Sequence, residues 1–238
     1  MVRCKVIVGF LAAFLLYGAF GAPAAAQGAK VPWAREHRLA VSLNFGLGSI
    51  SLSRYHEGID SNLVSFQPGV TKTSDGKSNF QINTEISFRY YFPYHLLAEV
   101  GIGAIYNWAS LEGKAGAFVA SAGNHTMVME VPLLIGGYYP LIDRIYVHGA
   151  IGPSFFFMSK SWWDPGPDFE ADGGVGMHIS GGADFMLGEN FALGLELRYR
   201  MLKAKQAKYK GTNVVVPGDY DFDYSGISVI FNIRLFAI

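Results

Sequence analysis

Residues 80–92 read FQINTEISFRYYF, and the alternation within this stretch decides the fold. Every even-numbered position from Phe80 to Phe92 carries an apolar or aromatic side chain except Thr84, while the odd positions carry polar side chains or tyrosine. Successive side chains of a β-strand point to opposite faces. The stretch is therefore predicted to be a strand with one apolar face and one polar face.

The same two-residue rhythm recurs in eight segments of the chain. The predicted strands are Leu39–Leu47, Phe80–Phe92, Leu96–Trp108, Met127–Tyr139, Ile145–Phe157, Val175–Leu187, Phe191–Met201 and Ile227–Ala237. Each is about as long as the ~9–11 residues that a tilted strand needs to cross a bilayer. The pattern predicts an all-β fold, an eight-stranded antiparallel up-and-down transmembrane β-barrel with apolar residues toward lipid and polar residues toward the lumen.

The first 26 residues form a predicted signal peptide that is cleaved before Gln27. Arg3 and Lys5 precede an apolar run, and Ala24 and Ala26 supply an A-x-A cleavage pattern. Residues 27–238 are then the barrel domain. Cys4 is the only cysteine and lies in the predicted signal peptide, so neither a disulfide nor a cysteine metal site is expected.

The composition is typical of a membrane β-barrel, whose apolar residues recur at every second position, and it argues against nucleic-acid binding. Charged residues make up 16% of the chain and aromatic residues 15%, and acidic and basic residues are equal in number. The usual charged share is about a quarter. The sequence has no basic patch or stripe of the kind that nucleic-acid-binding proteins show, so nucleic-acid binding is not expected.

Short and long connections alternate between the predicted strands. Residues 92–95, 140–144 and 188–190 are predicted tight turns. The long connections are predicted at Ser53–Ser78, Ala109–Thr126, Ser159–Gly174 and Lys203–Asp221. In outer-membrane barrels the short turns are periplasmic and the long loops extracellular, so both termini are predicted to be periplasmic.

The predicted faces differ sharply in charge. Nine charged residues fall on the predicted lumen face: Glu85, Arg89, Glu99, Glu130, Asp184, Glu196, Arg198, Arg200 and Arg234. The predicted lipid face carries no charged side chain and no histidine. Aromatic residues gather at two levels, with Tyr90, Phe92, Tyr139 and Phe191 at one and Trp108, Phe155 and Phe157 at the other, as in interfacial girdles.

The lumen charges allow two interpretations, a polar pore and a network of ion pairs that fills the lumen. The near balance of five acids and four arginines favours pairing, because buried charges are normally paired. A soluble lipocalin-type barrel is disfavoured because an eight-stranded barrel cannot enclose so many large apolar side chains. We also expect a serine at Gly194 to be tolerated better than an arginine at Leu195 if the lumen has room for a hydroxyl.

Two other motifs were considered as functional sites. His178 and Ser180 lie on one face with Asp184 nearby, a pattern that some lipid A deacylases share, but lumen-facing residues cannot reach lipid, so lumen filling is favoured. The loop motif Trp162-Trp163 either contacts an extracellular partner or enters the headgroup layer. No catalytic, cofactor or metal site is predicted, since the remaining histidines show no ligand spacing.

The segments Glu130–Leu134, Gly152–Phe155, Gly182–Phe185 and Leu195–Tyr199 resemble the small outer-membrane β-barrel proteins of the OmpA/OmpX/OmpW-like, porin-family group. The resemblance covers the whole predicted mature chain and implies the architecture more than an activity. These barrels usually end in an aromatic residue, whereas this chain ends Phe236-Ala237-Ile238.

The resemblance implies a Gram-negative outer-membrane location and a monomer. The expected role is structural or a surface interaction through the extracellular loops, with an OmpW-like channel for small or hydrophobic solutes and a lipid-modifying enzyme as alternatives. The expected partners are outer-membrane lipid and lipopolysaccharide, the assembly machinery and an extracellular ligand at the loops. No cofactor is expected.

Overall fold

The computed structural model describes residues 39–49, 71–74, 80–115, 118–164, 168–204, 208–213 and 222–237. The predicted signal peptide lies outside this part of the chain and stays a prediction. Among the described residues, no helix has the length and hydropathy that crossing a membrane requires.

Thirteen strands occur in the described residues. They are β1 (Leu39–Ser49), β2 (Thr71–Ser74), β3 (Phe80–Tyr91), β4 (Leu96–Ala115), β5 (Phe118–Ile142), β6 (Ile145–Asp164), β7 (Phe169–Ala171), β8 (Gly174–Met186), β9 (Phe191–Met201), β10 (Lys203–Ala204), β11 (Lys208–Tyr209), β12 (Phe222–Asp223) and β13 (Gly226–Phe236). A 3-10 turn, Pro93–His95, joins β3 to β4.

Eight of these strands form a closed antiparallel barrel, which confirms the predicted fold class. The strand order is β1-β3-β4-β5-β6-β8-β9-β13, and β13 pairs back to β1. Arg89 lies opposite Glu99, for example, and Ser42 lies opposite Arg234. Closure leaves none of the eight strands with an unpaired edge in the membrane, where unsatisfied backbone groups are costly.

The two faces of the wall match the predicted alternation. In β3 the burial alternates without exception from Phe80 to Phe88: the outward side chains at even positions are exposed or half-buried and the inward ones are buried. The exposed outward residues include Leu43, Phe45, Leu195 and Phe231, which are 44–58% exposed. The large apolar side chains, which an ordinary globular protein buries in its core, thus lie on the outer face of this barrel, where lipid covers them.

Three strands extend much further than predicted. β4, β5 and β6 are 20, 25 and 20 residues long, so much of the predicted loops Ala109–Thr126 and Ser159–Gly174 is strand. The short strands β2, β7 and β11 add to the edges of this extension. The apolar alternation that predicts strands arises where one face meets lipid, whereas pairing continues beyond the bilayer without that signal.

A β-bulge changes which side chains of β6 face outward. The register of β6 against β5 shifts between Met127 and Met129, after which Lys160 lies opposite Met127. Ser159 and Ser161 are consequently buried, while Lys160 and Trp162 are half-buried. Trp162 and Trp163 both belong to β6, opposite His125 and Asn124, and not to the predicted loop. The bulge inserts one residue and so changes the face of the residues beyond it.

Candidate functional site: the lumen charge network

All nine predicted lumen charges are buried inside the barrel. Their side chains come from β3, β4, β5, β8, β9 and β13, and none of the nine residues is more than 7% exposed. Each of these side chains points into the lumen because alternate residues of a strand face inward. The register between the strands then determines which of the charges come into contact. Seven of the nine form one connected network, while Arg200 and Glu130 form a second pair.

Arg198 lies at the centre of the larger network. Its Nη1 donates to Glu85 Oε2 at 2.6 Å and its Nη2 donates to Glu85 Oε1 at 3.2 Å. Its Nε donates to Glu196 Oε1 at 2.9 Å. Glu85 lies far along the chain on β3, so the bidentate contact ties β9 to β3 across the lumen. Bidentate arginine–carboxylate pairs are among the strongest hydrogen-bonded contacts in proteins.

Arg89 continues the network toward the turn end, the end of the barrel where the short turns lie. Its Nε donates to Glu99 Oε2 at 2.6 Å, and its Nη2 lies 3.4 Å from Glu196 Oε2. Its Nη1 lies 3.7 Å from Asp184 Oδ2. Glu196 therefore bridges Arg89 and Arg198, and one carboxylate holds two arginines that would otherwise repel each other.

Arg234 joins β13 to β8 and β1. Its Nη1 contacts Asp184 Oδ2, and its Nε donates to Ser42 Oγ at 2.9 Å. The same guanidinium donates to the hydroxyl of Tyr91 at 3.5 Å. Asp184 thus has arginines on two sides, from β3 and β13.

Arg200 and Glu130 form the second pair, further from the turn end. Arg200 Nε lies 3.2 Å from Glu130 Oε1, and Arg200 Nη1 donates to Asn83 Oδ1 at 2.5 Å. His178 Nε2 lies 3.0 Å from the other oxygen of Glu130. This pair links β9, β5, β8 and β3.

Neutral polar residues complete the network, and sequence reasoning did not single them out. Asn44 Nδ2 donates to Glu85 Oε1 at 2.7 Å, and Gln81 Nε2 donates to Ser228 Oγ at 2.7 Å. Their inward position in the alternation was the available signal. Short polar side chains at such positions accept or donate the hydrogen bonds that a buried charge needs.

Apolar residues occupy the lumen on both sides of the charges. At the turn end, Tyr91, Leu97, Leu134, Tyr138, Tyr146, Met186 and Phe236 belong to one buried cluster. Beyond Glu130 and Arg200 lie Ile105, Val128, Phe156, Leu202 and Tyr224, none more than 2% exposed. The charges therefore lie between two layers of buried, mostly apolar side chains.

The His178, Ser180 and Asp184 motif does not assemble as a catalytic triad. His178 Nε2 contacts Glu130, and Asp184 contacts Arg234. Ser180 is 0% exposed and its Oγ makes no hydrogen bond to a described residue. A serine nucleophile needs a hydrogen-bonded base and access to substrate. In the described part of the chain, no group of three or more His, Cys, Asp or Glu residues is arranged to hold a metal ion.

Comparison with known proteins gives structural neighbours of low identity. No curated protein matches the chain at a significant level. The chain is similar to Ail, the attachment invasion locus protein of Yersinia pestis, with 8% identity, 84% of this chain and 97% of that chain covered, and a TM-score of 0.39. It is also similar to the outer membrane protein AlkL (12% identity, 84% and 90% covered, TM-score 0.37) and to the Escherichia coli outer membrane protease OmpT (10%, 84% and 95%, 0.37).

A family model gives the assignment that these neighbours do not. The model described as the outer membrane protein beta-barrel domain matches residues 12–231, which is most of the chain. The match agrees with the closed eight-stranded wall, its apolar outer face and its charged interior. The chain belongs to the outer membrane protein beta-barrel domain family.

Proposed function

We propose that this chain is a monomeric integral outer-membrane protein with a structural or surface-interaction role, and that its lumen does not conduct. The observation that carries the proposal is the buried, ion-paired lumen. Each of the four arginines contacts at least one carboxylate, and apolar layers lie on both sides of the charges. Small eight-stranded barrels typically have interiors filled by side chains.

The extension of β4, β5 and β6 supports a role at the cell surface. A membrane-spanning strand needs about 9–11 residues, and these strands have 20, 25 and 20. The excess continues past the end of the barrel opposite to the short turns. There β2 adds to β4, β7 adds to β6, and β11 adds to β7. A paired sheet outside the membrane offers an extracellular ligand a preformed surface.

The alternatives have less support from the side chains. A channel for small or hydrophobic solutes would need a path past the ion pairs and both apolar layers. A lipid-modifying enzyme would need a nucleophile that lipid can reach, whereas Ser180 is buried in the lumen. We therefore propose a non-enzymatic role, with lipopolysaccharide and membrane lipid around the wall and the assembly machinery acting during insertion.

Planar-bilayer recording of the refolded protein tests the closed lumen. We expect no steady current above the baseline of the bare bilayer. Insertion is checked independently by heat-modifiable electrophoretic mobility, so that silence is not mistaken for failed insertion. A large steady conductance whose ion selectivity changes in Glu85→Gln would contradict the proposal and favour the channel.

Proteolysis of intact cells tests the surface role. Proteinase added to intact cells should cut the chain between β4 and β5 and between β6 and β7. It should spare the turn at Pro93–His95, which becomes accessible only after the outer membrane is permeabilised. Cleavage at Pro93–His95 in intact cells, with the extensions spared, would reverse the topology and remove the basis for a surface role.

A further inference from the structure

An apolar groove of about 710 Å³ crosses the outward wall of the barrel. Its lining comes from β1, β3, β4, β5, β6 and β8. The residues are Leu39, Phe88, Tyr90, Ala98, Glu99, Val100, Leu133, Leu134, Ile135, Ile151, Gly152, Pro153 and Met177. Most of these side chains face outward, so the groove belongs to the lipid-facing surface and not to the lumen.

The strand register explains the shape of the groove. One row of outward side chains runs from Leu39 through Tyr90, Ala98 and Ile135 to Ile151, each opposite the next on the neighbouring strand. A second row runs from Phe88 through Val100 to Leu133, and Pro153 lies opposite Met177. Between the two rows lie residues with inward side chains, and these form the floor.

Small and imino residues deepen this part of the wall. Ala98 presents only a methyl group between Tyr90 and Ile135. Pro132 and Pro153, on adjacent strands, have no amide hydrogen to give to the ladder. The pairing of β5 with β6 accordingly passes from Pro132–Ser154 directly to Ile135–Ile151.

The dimensions match one lipid chain in one leaflet. From β1 to β8 the groove crosses five strand spacings, which at about 4.8 Å each is about 24 Å. Strands of such barrels tilt by about 35–45°, so the groove rises by about 15 Å. That rise is half of the hydrocarbon core, which is about 30 Å thick.

We propose that the groove holds one acyl chain of a phospholipid from the periplasmic leaflet, with its headgroup near Tyr90 and its chain running toward Met177. Tyr90 lies next to the short turn after β3, at the periplasmic end in the proposed topology. The lining is apolar apart from Tyr90 and Glu99, and the Glu99 carboxylate is buried in the lumen against Arg89, so the groove offers a polar ligand little besides the Tyr90 hydroxyl. An extended peptide is excluded because its backbone groups would remain unsatisfied in hydrocarbon.

The test is native mass spectrometry of the full barrel from vesicles of phosphatidylethanolamine and phosphatidylglycerol. We expect a one-to-one phospholipid adduct that survives after the remaining lipid has been stripped by collision. Ala98→Trp should fill the groove and reduce the adduct at least tenfold, and Ala98→Leu should reduce it less. Ala104→Trp is the matched control, because Ala104 faces outward on the same strand but does not line the groove.

Each outcome decides the proposal. Loss of the adduct in Ala98→Trp with retention in Ala104→Trp supports it. Equal adducts in the wild type and Ala98→Trp, equal loss in both tryptophan variants, absence of the adduct in the wild type, or a retained molecule other than phospholipid would each overturn it. Ala98→Leu keeps the test valid if Ala98→Trp does not fold. The inference rests on the membrane location and topology of the proposed function, but the adduct does not depend on conductance, so the two can fail separately.

Discussion

The two faces of β9 stabilise the barrel by opposite means, although their side chains alternate along one strand. The inward residues Glu196, Arg198 and Arg200 are each 1% exposed and contact named partners on other strands. The outward residues Leu195 and Leu197 are 50% and 39% exposed. The inner face thus depends on specific pairs, whereas the outer face needs only to be apolar. Substitutions on the two faces should therefore fail for different reasons.

The largest effect is expected from Arg198→Met. The change leaves Glu85 and Glu196 buried without the guanidinium that now lies 2.6 Å and 2.9 Å from them. Removing one partner of a buried pair costs about 3–5 kcal/mol. The measurement is the free energy of unfolding by urea of the protein refolded into lipid vesicles.

The double variant Glu85→Gln/Arg198→Met is the control for this prediction. It removes one stranded charge together with its partner, so it should be more stable than Arg198→Met alone. If the single variant unfolds within about 1 kcal/mol of the wild type, the pair does not carry the stabilisation that buried pairs normally show when broken.

A smaller effect is expected from Leu195→Arg on the outer face. Leu195 lies near the middle of β9, opposite Phe231 and Ala183. An arginine on the lipid face near the bilayer midplane costs about 2–4 kcal/mol. The same vesicle assay measures it, with Leu195→Ile as the apolar control, expected to change the free energy of unfolding little. Wild-type stability of Leu195→Arg would show that this face does not meet hydrocarbon.

The sequence is enough to predict the barrel and that each of the nine charged side chains points into the lumen. Apolar and polar residues alternate with a period of two in the sequence, and exposed and buried residues alternate with the same period in the strands. It cannot predict which charges meet. Arg198 meets Glu85, 113 positions away, and that contact depends on the stagger of all the intervening strands. Nor does it predict the lengths of β4, β5 and β6, whose outer parts lack the lipid-facing signal, or the bulge that turns Lys160 outward.

Gly194 shows the same limit, since its face is correctly predicted but the space around it is not. From the sequence, a serine at Gly194 is expected to be milder than an arginine at Leu195 if the lumen has room for a hydroxyl. In the structure, a Cβ at Gly194 would overlap Asn232 Oδ1 and Asp184 Oδ1. Asp184 also contacts Arg234, so a shift of its carboxylate would disturb that pair. The room for a hydroxyl on which that expectation depends is therefore absent at this position.

We therefore expect Gly194→Ser to destabilise the barrel by about 1–3 kcal/mol, the usual cost of overpacking a filled interior. Gly188→Ser is the matched control, because nothing lies within 4 Å of a Cβ at that position. Surface changes of this kind usually stay within about 0.5 kcal/mol. Both variants are compared by urea unfolding in the same vesicles. Equal stability of the two would mean that Asn232 and Asp184 move aside without loss, and that the lumen network is less tightly packed than its contacts indicate.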